Sequence, residues 1–219
     1  MCKKPNGGND HAERISRTDE LPQGGDHRSL PEALSDHELS GNHNQRIAEE
    51  TSFTRPSIYN YFETKEEIFL ALFQTEYEAF AEELNLLCEG RETLSPDELA
   101  SALAQALENR PMLLKLLSMN LYDMEENARL ERLVEFKTAY RDFISAVDRC
   151  LQKFCPALEG QSRQMFLCSF LPFMFGLYPY TVATDKQKAA MEKAGLDYTP
   201  VSTYELANAG IQALLRGVQ

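Results

Sequence analysis

Between residues 54 and 65 the chain gathers side chains suited to contact with a nucleic acid: Thr54, Arg55, Pro56, Ser57, Tyr59, Asn60, Tyr61 and Lys65. Hydroxyls, phenols and a helix N-terminus hold phosphates, a lysine adds a point charge, and an arginine can read guanine. Catalytic chemistry finds far less to work with. All four histidines (His11, His27, His37 and His43) precede residue 45, and their irregular spacing does not describe a metal site. The five cysteines (Cys2, Cys88, Cys150, Cys155 and Cys168) are odd in number and also lack ligand spacing. They read as reduced, buried thiols of a cytoplasmic protein. There is no serine nucleophile elbow and no glycine-rich phosphate loop. Acids such as Asp123, Glu125 and Glu126 read as loop or helix-start charges. The expectation is a non-enzyme with no metal and no cofactor.

The elements that position the DNA-facing set begin at Gln45. Ile47 and Ala48 start an apolar stripe, which Thr51-Ser52-Phe53-Thr54 interrupts. Thr54 is a good N-cap and Pro56 suits the first turn behind it. Ile58 and Phe62 then recur at helical spacing, leaving the polar residues on other faces. Thr64-Lys65-Glu66-Glu67 predicts a capping box, with Thr64 and Glu67 satisfying each other's backbone donors. Two short helices across a turn make a helix-turn-helix, whose second helix fits the major groove. By periodicity alone a plain helical hairpin inside an all-α core competes with that reading.

The order of residues resembles the DNA-binding segment of the tetracycline-repressor-like (TetR) family of bacterial transcription regulators. The matching residues are Ile47-Ala48-Glu49-Glu50, Thr54-Arg55-Pro56-Ser57-Ile58-Tyr59, Tyr61-Phe62 and Lys65-Glu66-Glu67. The resemblance implies that Thr54 to Ser57 open the recognition helix. It sets Tyr59 and Tyr61 against the DNA backbone and groove wall, and makes Lys65 a phosphate contact. Ser52 stands where the family's turn usually carries glycine, and Phe53 is bulkier than the usual aliphatic. The family's amphipathic first helix is not readable before Gln45. Residues 1–44 have the composition of a disordered tail, so Ile47, Phe53, Ile58 and Phe62 lack one wall of their core. The segment Gln45–Phe73 carries a net charge of −2 and the whole chain −12. Weak operator binding follows from both features.

With 219 residues, 43% of them hydrophobic, the chain has material for a sizeable core. No alternating strand pattern recurs, and the fold class is all-α: a helix-turn-helix segment followed by a helical bundle for ligand binding and dimerisation. The expected divisions are a tail at 1–44, the helix-turn-helix and start of the connecting helix at 45–73, and a regulatory domain at 74–219. Helices are predicted over Thr64–Leu87, from Ser95 to before Pro111, and over Pro111–Leu121 and Asn127–Phe154. Gln164–Thr184 carries no charge. Its prolines and its lack of basic flanks favour a buried helix over a membrane span. A polar helical hairpin over Asp185–Thr199 and a final helix over Val201–Arg216 complete the series. Leu130, Phe136, Tyr140, Phe143 and Leu151 are placed on the apolar face of the Asn127–Phe154 helix. Ala207, Ala209, Gly210 and Ala213 are placed where a partner helix approaches.

Core packing is the plain reading of the large side chains Met112, Leu116, Met119, Phe136, Tyr140, Phe143, Phe166, Phe170, Phe173, Met174 and Tyr178. In the family such a bundle holds a small effector, so these residues are the candidates to line its site, with few cations nearby and hence a neutral or apolar ligand. The reading reached is a homodimeric repressor of a double-stranded DNA operator, released by that effector. The alternative is a dimeric helical interaction protein that no longer binds DNA.

Overall fold

In the computed structural model residues 62–217 are described, and every regular element among them is an α-helix. They are α1 (Lys65–Gly90), α2 (Pro96–Glu108), α3 (Pro111–Leu117), α4 (Leu121–Glu126), α5 (Leu130–Phe154), α6 (Gly160–Thr181), α7 (Asp185–Lys193) and α8 (Thr203–Gly217). The tail at 1–44, most of the helix-turn-helix segment and the expected DNA contacts Thr54 to Tyr61 lie outside the described residues.

The bundle is built around α1 and α5. On α1, Ile68, Leu72, Phe73, Tyr77, Phe80 and Leu84 recur at three- and four-residue intervals and are buried. On α5, Phe136, Ala139, Phe143, Ala146, Val147, Cys150 and Leu151 do the same. Each stripe hides only by facing another. Pairs along the seam keep a nearly constant separation in sequence: 62 residues for Glu67 with Arg129, 64 for Asn85 with Arg149, 62 for Cys88 with Cys150. The two helices therefore run parallel and in step. Between the ends, Phe73 meets Phe136 at 5.7 Å, Tyr77 meets Tyr140 at 5.5 Å, and Phe80 meets Phe143 at 4.8 Å between ring centroids.

A parallel pair needs the chain to return to its starting end, and α2, α3 and α4 carry it back. Helix α2 starts as its text predicts. Ser95 Oγ accepts from the Glu98 amide at 3.2 Å, the Glu98 carboxylate accepts from the Ser95 amide at 2.7 Å, and Pro96 fills the first turn. Arg110, between α2 and α3, fastens the return to α1. It donates to the Ala106 and Ala79 carbonyls, pairs with Glu83 and lies 4.6 Å from the Phe80 ring centre. Helices α6 and α8 close the other side, α8 packing on α2 and α6, and α3 on α6.

Several boundaries differ from expectation. The predicted Pro111–Leu121 helix stops at Leu117, and a separate α4 starts behind Asn120, whose side chain accepts from the Asp123 amide. Helix α5 starts at Leu130 rather than Asn127, and Leu130 itself is 70% exposed instead of joining the apolar face. Asp185–Thr199 holds one helix, not a hairpin: α7 ends at Lys193 and Gly195 turns the chain at φ +68°. At that φ a side chain would be strained. Gly210 allows a close approach, but to the chain's own α6. A Cβ there would stand 2.3 Å from Phe173 Cζ. Ala209, one residue before Gly210, is exposed.

Helix α6 keeps Pro172 and Pro179 within it. Among the described residues no single helix is long and apolar enough to cross a membrane; α6 and α7 reach that composition only as a pair bent by 77°.

Candidate functional site

Several polar bonds converge at the start of α1. Thr64 caps the helix, its Oγ1 accepting from the Glu67 amide at 3.2 Å. The reciprocal half of the predicted capping box does not form. The Glu67 carboxylate instead accepts from the Glu63 amide at 2.8 Å and from Arg129, Nε at 2.6 Å and Nη2 at 2.7 Å. The Arg129 amide adds a bond at 3.1 Å, and Thr64 Oγ1 donates to the Asn127 carbonyl at 3.2 Å. Glu67 is fully buried. The bonds from the Arg129 side chain outweigh that burial and hold its carboxyl down at about 2. A buried carboxylate thus ties the start of α1 to the start of α5.

Of the expected DNA contacts, Lys65 is within the described residues. It is the first residue of α1, its side chain 70% exposed and 3.7 Å from Glu66. Phe62, just before it, is buried with the Arg132 guanidinium 5.1 Å from its ring centre.

The expected effector residues fall into three groups. Phe136, Tyr140 and Phe143 join a continuous aromatic stack with Phe73, Tyr77 and Phe80 of α1. Phe166 and Phe170 stack on each other at 5.6 Å along α6, and Met174 is buried one turn beyond. Met112 and Leu116 are buried on α3, while Met119 and Tyr178 are half-buried against the core. Phe173 stands apart from these groups, wedged over Gly210. Tyr77 joins Phe73 and Phe80 on the α1 side of the stack, and its i+4 spacing from Phe73 is the signal for it in the sequence.

The stack has one polar margin. Burial raises the Tyr77 and Tyr140 phenols, and the Glu125 carboxylate raises them further. Glu125 is paired with Lys137 at 2.7 Å, and the Lys137 ammonium lies 5.2 Å and 5.8 Å from the Phe136 and Tyr140 ring centres. A cavity of about 360 Å³ lies elsewhere, between the outer face of α5 and the start of α6. It is lined by Ile144, Ser145, Asp148, Arg149, Gly160, Arg163, Gln164 and Leu167, none of them an expected effector residue. Asp148 and Arg163 bridge it at 2.9 Å. Among the described residues no group of three or more His, Cys, Asp or Glu is placed to hold a metal ion.

Two family models match the chain. Residues 74–219 match the one described as tetracyclin repressor-like, C-terminal domain, and residues 44–72 match bacterial regulatory proteins, tetR family. No curated protein matches.

Proposed function

The chain belongs to the TetR family of bacterial regulators, and from that premise we propose that it acts as a dimeric DNA-binding repressor released by a small apolar effector. Membership in a family of regulators also sets aside catalysis. One observation carries the reading: the DNA-reading match at 44–72 runs directly into α1, which Glu67 fastens to the regulatory bundle at Arg129. An effector that separated α1 from α5 would move the DNA-reading end. It must bind the two arrangements with different affinity to do so. The aromatic stack with its Tyr77 and Tyr140 margin is the effector region in this proposal. The domains are 45–73 for DNA and 74–219 for regulation and dimerisation.

The dimer is assigned to α6 and α8. Along α6, Met165, Cys168, Pro172, Phe175 and Pro179 are exposed and spaced three and four apart, beside the exposed Gly160, Gln161, Gln164 and Tyr180. That is the seam of two helices packed side by side. Phe175 is 36% exposed and Tyr180 is 75% exposed. Phe175→Arg is expected to convert the protein to a monomer in sedimentation velocity while leaving its helical circular dichroism unchanged. A wild-type protein that sediments as a monomer at every concentration would contradict the assignment. Leu206 and Leu214 of α8 are poorer test positions, because both also pack on the chain's own core.

The DNA arm separates by residue. Lys65→Ala should weaken binding to all sequences and reduce the salt slope by about one. Arg55→Ala should relax base preference at one position per half-site. Fluorescence anisotropy on a selected duplex reads both. Equal loss of affinity for specific and random DNA in Arg55→Ala would remove that residue from base reading.

A further inference from the structure

Near the other end of the α1–α5 seam two thiols meet. Cys88 Sγ and Cys150 Sγ are 3.2 Å apart, within reach of a thiol–thiol hydrogen bond, and 62 residues apart in sequence. We propose that Cys88 and Cys150 are a redox-active pair, closed to an intramolecular disulfide by an oxidant of the peroxide class. A disulfide needs its sulfurs about 2.05 Å apart, so each has to move by roughly half an ångström. The backbones are already held together on both sides. Arg149 donates to Asn85 Oδ1 at 2.5 Å, and Lys153 Nζ donates to the Cys88 carbonyl at 2.7 Å.

The two sulfurs are not equivalent. Cys88 is half-buried and meets solvent, whereas Cys150 is buried, with its Sγ 3.6 Å from the Leu84 carbonyl. Burial, with Cys88 beside it, pushes the Cys150 thiol up, so it is a poor first target. Cys88 is therefore the thiol whose sulfur attacks the peroxide, breaking its O–O bond. Its sulfur takes one oxygen to give a sulfenic acid, and the other oxygen leaves as water. The Cys150 sulfur then bonds to the Cys88 sulfur, the S–O bond breaks, and hydroxide leaves with the Cys150 proton as a second water. Two electrons pass from the thiols to the peroxide, and each bridge releases two waters. Cys155 and Cys168 have no such neighbour among the described cysteines; Cys155 is buried, and Cys168 is exposed beside Gln164.

The bridge would pin the far end of α1 to α5. Its effect on DNA release rests on the proposed function; its formation does not. The test is to expose the full 219-residue chain to hydrogen peroxide, denature it, alkylate free thiols and map the peptides by mass. The expected product joins the Cys88 and Cys150 peptides, lighter by two hydrogen atoms, and both thiols return with dithiothreitol. Cys88→Ser is expected to abolish the bridge, and Cys168→Ser to leave it intact. Two results would overturn the proposal: Cys88 and Cys150 both still alkylated while Cys168 is consumed, or Cys88 carried to sulfinic acid with no bridge. The wild-type map decides even where a variant fails to fold.

Discussion

Truncating Phe143 to alanine is expected to cost about 3–5 kcal/mol of folding stability, the range for emptying a sealed aromatic site. Phe143 is fully buried and its ring lies 5.1 Å from Tyr77 and 4.8 Å from Phe80, centre to centre. Helices α1 and α5 cannot both close over the space it leaves, because the Phe73–Phe136 and Tyr77–Tyr140 ring pairs along the same seam hold them apart. Phe143→Leu keeps most of the volume and should cost less than about 1.5 kcal/mol. Urea denaturation of the two variants beside wild type measures the difference. A loss under about 1 kcal/mol would contradict the sealed packing of this ring in the free protein.

Glu67→Gln is expected to cost roughly 2–3 kcal/mol, below the usual range for breaking a buried ion pair, because the Arg129 side of the pair meets water. Arg129 is 39% exposed, whereas Glu67 is fully enclosed. Acid should produce the same loss without a mutation. The folded protein holds the Glu67 carboxyl at about 2, against an ordinary 4.5. The unfolded chain therefore takes up the proton first as pH falls. The contribution is complete above about 4.5, declines below it and is gone once pH has fallen through about 2. Glu67→Gln should lack this part of the acid sensitivity while keeping that of the other carboxylates. Identical acid profiles for variant and wild type would remove Glu67 from the account. Arg129→Ala is the harsher change, since it strands the carboxylate in the core and must drive its pKa upward.

Local chemistry was the legible part of the chain. Ser95 and Glu98 satisfy each other's backbone donors within one turn and Pro96 fits its first position, so the sequence alone places the start of α2. The α1 and α5 stripes were legible for a similar reason: Phe73 and Phe80, and Phe136 and Phe143, repeat along single helices. What failed needed a partner from far along the chain. Thr64 to Glu67 reads as a closed capping box, yet Arg129 lies 62 residues away and takes the carboxylate over. Gly210 reads as a contact for a second chain, yet Phe173 occupies it. Leu130 fits the apolar period of α5 by spacing, but α1 begins beside it and leaves no wall for it to face. The α3–α4 break was hidden because the apolar run from Met112 to Leu121 continues past the point where Asn120 starts a new helix. For the expected site, the sequence placed the aromatics of α5 and α6 on the right helices. It could not say that Phe173 packs on α8 while Phe136, Tyr140 and Phe143 face α1.

In the proposed function a dimer of this chain recognises an operator through two copies of the segment at 44–72. Selection of genomic DNA fragments on the purified protein, at low salt because the segment carries so few cations, tests it most directly. Enrichment of one inverted repeat is expected, with two protomers bound per site in sedimentation and that binding lost in Phe175→Arg. Failure to enrich any sequence, or saturation of a single half-site by one protomer, would contradict it and favour a dimeric interaction protein that no longer reads DNA.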